Sequence, residues 1–247
     1  MFKTDQQQPK GEATRQQILT SALALFRTQG FDQTTMRDIA AAAAMSLGAA
    51  YYYFETKEAI VAAYYEYVQS EHAARAREQF EKTEKFRDRL AAAIHTKLDI
   101  LQDDRQLLGA LFRYGGDPDH PLSWFGPGTR GERDLSMAIF ADAIANERLP
   151  DDVREVAPVL LWTLHMGLVL YFLYDRSPHQ KRTRRLVEAA VDLIVQAKRI
   201  VTLPLMRPVR RRVIHALRDA ELIPSLPPLS ALTQISAEKA SVQHELP

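Results

Sequence analysis

The feature that most constrains this chain is a long segment without a charged side chain. Residues 156–174 hold no Asp, Glu, Lys or Arg, and the segment is close to the length of a membrane span. A helix that is apolar on all sides either faces lipid or lies between two layers of protein. The chain as a whole has a composition typical of soluble proteins, with 46% hydrophobic and 26% charged residues. We therefore expect a helix enclosed by protein, with a membrane span as the alternative.

Helical periodicity runs through most of the chain, and strand-like alternation is nearly absent. Apolar residues predict helices over about 86–101, 106–114, 151–176 and 180–202. A further helix ends near residue 150, and residues 115–128, which are rich in Gly, Pro and Asp, predict a loop. These patterns predict an all-α fold.

Capping residues divide the N-terminal region into short helices. Thr14, with a Gln three residues later, predicts the start of the first helix, and Gly30 predicts its end. Thr35 is followed by Asp38 at the spacing that favours a helix N-terminus. Thr56 is expected to cap a longer helix. Three short helices of this size fit a helix-turn-helix unit.

Several chemistries lack the residues that they need. The chain has no cysteine, and its seven histidines lack the spacing of a metal site. We find no Gly-rich phosphate loop, nucleophile elbow or N-terminal signal peptide. We therefore expect no metal, no cofactor and no enzymatic activity.

The third short helix, residues 47–54, would enter the major groove of DNA, while the second crosses the phosphate backbone. Its side chains are small or aromatic and include no Arg or Lys. Alanines allow close approach, and tyrosines offer hydroxyls to phosphates and rings to thymine methyl groups. The alternative is three ordinary core helices in which residues 51–54 are buried.

The order of residues in this region resembles the tetracycline-repressor (TetR) family of bacterial regulators. The resemblance covers roughly residues 11–60 and depends on Arg15, Ile18, Ala22, Phe26, Gly30, Phe31, Thr34, Thr35, Ile39, Ala40, Ser46, Gly48, Tyr51, Tyr52, Phe54 and Lys57. Ala44 stands where the family commonly has Gly, and Tyr53 where it often has His. Ala49 and Ala50 replace a common Thr-Leu pair. These departures leave the operator sequence open.

The resemblance implies an N-terminal three-helix DNA-binding domain. Thr35 would cap the second helix against a phosphate, and Tyr52 and Lys57 would hold the DNA backbone. The implied DNA-binding residues are Arg15, Thr35, Ser46, Leu47, Ala49, Tyr51, Tyr52 and Lys57.

The resemblance also implies a helical C-terminal domain that binds a small-molecule effector and forms a homodimer through helices at about 151–176 and 180–202. We expect a largely apolar effector, because pockets of this kind are apolar with a few polar groups. Pocket candidates are His95, Phe112, Arg113, Tyr114, Trp124, Trp162, His165 and Tyr171. Each has a plainer alternative, because His165 and Trp162 fit a protein core and Arg113 fits a surface ion pair.

These expectations define five segments. They are a flexible arm (1–10), the DNA-binding domain (11–57), the ligand-binding and dimerisation domain (58–203), an extra basic helix (204–223) and a disordered tail (224–247). The basic helix can contact an acidic partner, nucleic acid or a membrane, or it docks on its own domain.

The expected function is a cytoplasmic DNA-binding regulator, a repressor released from its operator by a small molecule. One alternative is an all-helical enzyme that uses His165 or Arg113, which turnover of a bound molecule would indicate. Another is a DNA-binding structural protein without an effector, which a filled core would indicate.

Overall fold

A computed structural model describes residues 8–117 and 119–220. These residues form ten α-helices and no β-strand, so the predicted all-α fold is confirmed. The helices are α1 (Gln8–Gln29), α2 (Met36–Ala42), α3 (Leu47–Tyr53), α4 (Lys57–Glu81), α5 (Phe86–Ile100), α6 (Arg105–Gly115), α7 (Arg130–Ala143), α8 (Asp151–Tyr174), α9 (Lys181–Val201) and α10 (Arg207–Asp219).

The chain divides into two compact units that differ from a simple N- and C-terminal split. Of the described residues, the first unit holds 8–68 and 103–130, and the second holds 69–102 and 131–220. Helix α6 and the loop after it therefore belong to the same unit as α1–α3. The functional division at residue 57 that the sequence suggests stays a prediction.

Local capping sets the short helices of the first unit. The Asp38 amide donates to Thr35 Oγ1 at 3.2 Å, and the Thr35 amide donates to Asp38 Oδ2 at 2.9 Å, which completes a capping box. The Ala59 amide donates to Thr56 Oγ1 at 3.1 Å, as the sequence predicts. Gly30 ends α1 with φ +88°, a conformation that a glycine adopts without steric cost.

The predicted start of α1 is wrong. The helix begins at Gln8, so Thr14 lies inside it and residues 8–10 belong to the helix rather than to an arm. The capping pattern at Thr14 is also compatible with a helix interior, and nothing before it breaks the helix, because a proline such as Pro9 is tolerated in the first turn. The rest of the predicted arm lies outside the described residues.

One further expectation needs correction. Helix α7 ends at Ala143, before the predicted end near residue 150, and the residues that follow form turns. In the loop after α6, Phe125 is 64% exposed. Trp124, its neighbour, is half-buried.

The second unit has its core between α5, α8 and α9, which pack against one another. Leu90, Ile94, Phe172, Val187 and Val191 are fully buried there. Helix α8 is the one described helix whose length and composition would allow it to cross a membrane, and 56% of its apolar window is buried within the protein.

Helix α10 docks on the first turns of α8. Ile214 is buried, Arg210 Nε donates to Asp152 Oδ2 at 2.9 Å, and Arg218 Nη2 donates to Glu155 at 2.7 Å. The expected alternative of a helix docked on its own domain is therefore what the structure shows. The predicted disordered tail (224–247) lies outside the described residues.

Candidate nucleic-acid interface and sensor core

The turn between α2 and α3 is held by backbone geometry and one side chain from α1. Ala44 has φ +54°, the left-handed conformation, which costs about 1–2 kcal/mol for a residue with a Cβ. The Met45 amide donates to the Ala40 carbonyl at 2.9 Å, and Gln17 Nε2 donates to the Ala43 carbonyl at 3.0 Å. These bonds fix the angle between α2 and α3 although the turn lacks a glycine.

Helix α3 turns one side inward and presents tyrosines on the other. Ala50 is fully buried, whereas Tyr51 and Tyr52 are 47% and 82% exposed. Ser46 caps the helix, because the Ala49 amide donates to its Oγ at 3.1 Å. This exposure argues against the alternative in which residues 51–54 are simply buried, since only Phe54 is.

The other predicted DNA-contacting residues differ in exposure and in their contacts within the protein. Leu47 and Ala49 are half-buried on α3, and the Arg15 guanidinium lies 4.9 Å from the centre of the Phe54 ring. Thr35 is exposed, but its hydroxyl donates to Asp38 Oδ2 at 2.7 Å. This hydrogen bond is the first cause of the lowered pKa of Asp38.

The Lys57 ammonium is occupied within the protein. Its Nζ donates to the carbonyls of Phe31, Asp32 and Thr34 at 2.8, 3.2 and 3.3 Å, and it lies 4.4 Å from the centre of the Phe31 ring. An ammonium has three donors, and three carbonyls are in reach. Lys57 thus holds the segment between α1 and α2, and its contact with DNA stays a prediction.

Sequence reasoning missed Arg37 on α2. Its side chain is exposed, and no hydrogen bond or ion pair to another described residue involves it. The signal that could have found it is a basic residue two positions after a helix N-cap, on the helix that crosses the DNA backbone.

Four of the predicted ligand-binding residues lie in the first unit, around α6. Arg113 Nη2 and Tyr114 Oη both donate to the carboxylate of Asp32, in the segment between α1 and α2. Phe112 and Trp124 contact each other with ring centres 3.9 Å apart. Trp124 also donates a hydrogen bond to Tyr65, whose pKa is raised, chiefly by burial.

The other four lie in the second unit. His95 Nε2 donates to Glu188 Oε1 at 2.6 Å, and Arg184 Nη1 donates to His95 Nδ1 at 3.1 Å. Tyr171 is exposed, whereas Trp162 is buried. His165 is 1% exposed, and neither of its ring nitrogens has a hydrogen-bond partner.

His165 belongs to a buried polar cluster that sequence reasoning did not assemble. Its ring stacks on that of His72, with centres 5.9 Å apart, and His72 Nε2 donates to the Ala93 carbonyl at 2.7 Å. Lys97 Nζ donates to Gln69 Oε1. The available signal was the spacing of Lys97, which follows Leu90 and Ile94 on the inward side of α5. His72 and Gln69 carried no comparable signal.

A helix with one exposed side that follows a tight turn after a capped helix defines a helix-turn-helix DNA-binding protein. Comparison with known proteins narrows this class. The model described as "Bacterial regulatory proteins, tetR family" matches residues 18–64, and "Tetracyclin repressor-like, C-terminal domain" matches residues 89–209. Together these matches span more than half of the chain, so the protein belongs to the TetR family of transcriptional regulators.

Individual relatives agree with this assignment. The chain is 28% identical over 194 residues to the HTH-type transcriptional repressor Rv1474c of Mycobacterium tuberculosis, a match that covers 76% of this chain and 94% of the relative. A TetR-family regulator from Streptomyces coelicolor has a similar fold, with a TM-score of 0.56, 22% identity and coverage of 93% of this chain and 98% of that chain. A structure assigned to the family from Syntrophomonas wolfei has a TM-score of 0.59 at 16% identity, covering 74% and 95%.

Proposed function

We propose that this chain is a homodimeric, cytoplasmic repressor that a small-molecule effector releases from its DNA operator. The observation that carries the DNA-binding part is α3, which has a buried alanine on one side and exposed tyrosines on the other. The repressor assignment is supported by the similarity to the transcriptional repressor of Mycobacterium tuberculosis.

DNA recognition by α3 would depend on shape and on apolar contacts. The helix carries no Arg or Lys, so it cannot make the bidentate contact with guanine that these residues provide. Tyr51 and Tyr52 can place their rings against thymine methyl groups and their hydroxyls on phosphates. Arg37 would supply a phosphate contact from α2, and Ser46, Leu47 and Ala49 remain predicted contacts at the start of α3.

The DNA interface is tested with Tyr52→Phe and Arg37→Ala. A duplex selected from a random library serves as the operator, and binding is measured by fluorescence anisotropy at several salt concentrations. Tyr52→Phe should weaken binding to all sequences, because a phosphate contact carries no sequence information. Arg37→Ala should also weaken binding. The slope of the logarithm of the binding constant against the logarithm of the salt concentration should become shallower by about one, since one fewer counterion is released.

Tyr67→Phe is the matched control, because Tyr67 is an exposed tyrosine on α4, away from α3. It should bind DNA as the wild type does. If Tyr52→Phe and Arg37→Ala also match the wild type, the proposed DNA interface is wrong.

Dimerisation is attributed to exposed apolar residues on α8 and α9. On α8, Leu160, Leu164 and Tyr171 recur at helical spacing along one exposed side. On α9 the exposed residues at seven-residue spacing are Leu186, Leu193 and Ile200. The charge-free surface of α8 would thus serve as a contact between subunits, with no membrane involved.

The side of α9 that carries Val187 and Val191 faces the core of its own protomer. Val187 and Val191 are fully buried in the protomer, and Ile194 is only half-buried. A helix that is apolar on two sides presents one to its own core and the other outward. Leu193, at 65% exposure, is the better position at which to test the interface.

An effector would bind in the second unit, and DNA and effector would favour two different dimer conformations. Linkage requires that DNA weaken effector binding by the same factor by which the effector weakens DNA binding. Buried ring nitrogens without partners support a sensor over a purely structural protein, because a filled structural core pairs its polar groups.

A further inference from the structure

The second unit encloses a group of basic side chains from three helices. Lys97 lies on α5, His72 on α4 and His165 on α8, and Gln69 of α4 joins them through its hydrogen bond with Lys97. The two imidazole rings stack with an angle of 18° between their planes. Gln69 Nε2 is fixed by the Glu132 carbonyl at 2.8 Å, so its Oε1 is oriented to accept from Lys97.

No carboxylate forms an ion pair with Lys97 among the described residues. The structure gives Lys97 one hydrogen-bond acceptor, the neutral Gln69 amide, and no ion pair with another described residue. Burial lowers the pKa of Lys97 to about 7. Burial and then the charge of Lys97 lower the pKa of His165 to about 3, and burial is also the first cause of a lowered pKa at His72. A buried cation without a counterion is unfavourable.

Hydrogen-bonding capacity is also unused in this cluster. Both ring nitrogens of His165 and Nδ1 of His72 are buried without a partner. A buried polar group that lacks a partner is less favourable than a paired one. Lys97 is half-buried, so its ammonium lies at the edge of this unpaired group of ring nitrogens.

The surroundings of these polar groups are apolar. The ring of Phe140 lies 5.3 Å from that of His165, and Phe140, Ile94 and Ala93 are buried nearby along α7 and α5. A molecule held here would bury most of its surface against hydrocarbon and present its polar end to Lys97 and His165.

We propose that this basic cluster is the binding site of the effector and that the effector is an apolar carboxylic acid. The carboxylate would accept from the Lys97 ammonium and from the imidazole N–H of His165, and the hydrocarbon part would lie beside Phe140. This proposal rests on the proposed function of an effector-responsive regulator. A neutral ligand would leave the Lys97 charge uncompensated, whereas an anion supplies the missing counterion.

The test uses the full chain, freed of co-purifying small molecules, and isothermal titration calorimetry. The probes are decanoate and 4-phenylbutanoate, each compared with the alcohol of the same carbon skeleton. We expect at least one acid to bind, and its alcohol to bind about thirtyfold or more weakly. Lys97→Met should reduce the affinity for the acid by a similar factor and leave that for the alcohol unchanged.

Two controls separate ligand binding from a structural role. Lys85→Met changes an exposed lysine just before α5 and should bind the acid as the wild type does. The ligand-free Lys97→Met protein should melt at a higher temperature than the wild type, because the variant removes a buried unpaired cation. His165→Leu should weaken acid binding and leave the dimer intact.

Failure to bind either acid, equal binding of acid and alcohol, or unchanged acid binding in Lys97→Met would each overturn the proposed site. A lower melting temperature for ligand-free Lys97→Met would also overturn it, since the lysine would then be a structural residue. Release of DNA is measured separately with the selected duplex. Acid binding through Lys97 without DNA release would contradict the proposed function and leave the proposed site standing.

Discussion

At the scale of single residues, Gly115 shows how one missing methyl group fixes a loop. A Cβ built at this position would overlap the indole ring of Trp124. The Trp124 amide donates to the Gly115 carbonyl at 3.1 Å, so the backbones are tied at the same point. The last residue of α6 must therefore be a glycine for Trp124 to pack where it does.

We expect Gly115→Ala to destabilise the first unit by about 1–3 kcal/mol, the usual cost of overpacking. The measurement is urea unfolding followed by tryptophan fluorescence. Gly116→Ala is the control, because no atom lies within 4 Å of a Cβ built there, and it should be neutral or slightly stabilising. Equal stability of Gly115→Ala and the wild type would show that Trp124 moves aside at no cost.

Lys97 gives the ligand-free protein a distinct pH dependence. Its pKa is about 7 in the folded protein, against 10.5 for an ordinary lysine. Between these two values the unfolded chain binds more protons than the folded one, so raising the pH favours the folded state. Below about pH 7 both states are protonated, and the cost of the buried charge is present in full.

We therefore expect the free energy of unfolding of the wild type to rise, relative to that of Lys97→Met, as the pH increases from about 7 to about 9.5. Because the tyrosines titrate in both proteins, their contribution cancels when the two free energies of unfolding are subtracted. Chemical denaturation at each pH measures it. A difference that does not vary with pH would show that Lys97 is solvated and has an ordinary pKa.

At the scale of elements, Arg210 makes several of the hydrogen bonds that hold α10 on the rest of the second unit. Its Nε donates to Asp152, and its Nη1 donates to the carbonyls of Val201 and Leu203 at 2.8 and 3.1 Å. The hydrogen bond from Arg210 is the first cause of the lowered pKa of Asp152. One side chain thus joins the start of α8 to the residues that follow α9.

Arg210→Met should destabilise the second unit by about 1–3 kcal/mol, because it leaves acceptors without their donor. The exposed Arg211, which has no ion pair with another described residue, provides the control Arg211→Met, with an expected change below about 0.5 kcal/mol. Thermal unfolding followed by circular dichroism compares them. Equal losses for both variants would mean that α10 is held by its apolar contacts alone.

The elements were predictable from sequence where the signal is local. The caps at Thr35 and Thr56 could be recognised because side chain and amide are three residues apart. The capping pattern at Thr14 failed because it also fits a helix interior. The buried cluster depends on contacts between α4, α5 and α8, so Lys97 and His165 could not be brought together without the tertiary structure.

At the scale of the whole molecule, the proposed function depends on association with a second copy. Family membership indicates a DNA-binding dimer, which would place two copies of α3 on half-sites about 34 Å apart, one helical turn of DNA. Exposed Leu193 lies in the middle of the apolar positions on α9. A charge at this position would be buried without a partner in the proposed interface.

We expect Leu193→Asp to convert the dimer to a folded monomer, at a cost to association of several kcal/mol. Sedimentation velocity at micromolar concentration measures the change, and circular dichroism reports the fold. Phe125→Asp, which adds the same charge at an equally exposed apolar residue in the first unit, should remain dimeric. A dimeric Leu193→Asp protein would place the interface elsewhere.

The distribution of tryptophan gives the molecule a convenient optical property. It has two tryptophans, with half-buried Trp124 in the first unit and buried Trp162 in the second. Trp162 precedes His165 by three residues on α8, so both residues lie on the same side of that helix. In a Trp124→Phe protein all indole emission therefore comes from the neighbourhood of the basic cluster, and in a Trp162→Phe protein it comes from the loop after α6. Intrinsic tryptophan fluorescence can thus report on each unit separately, without an added dye.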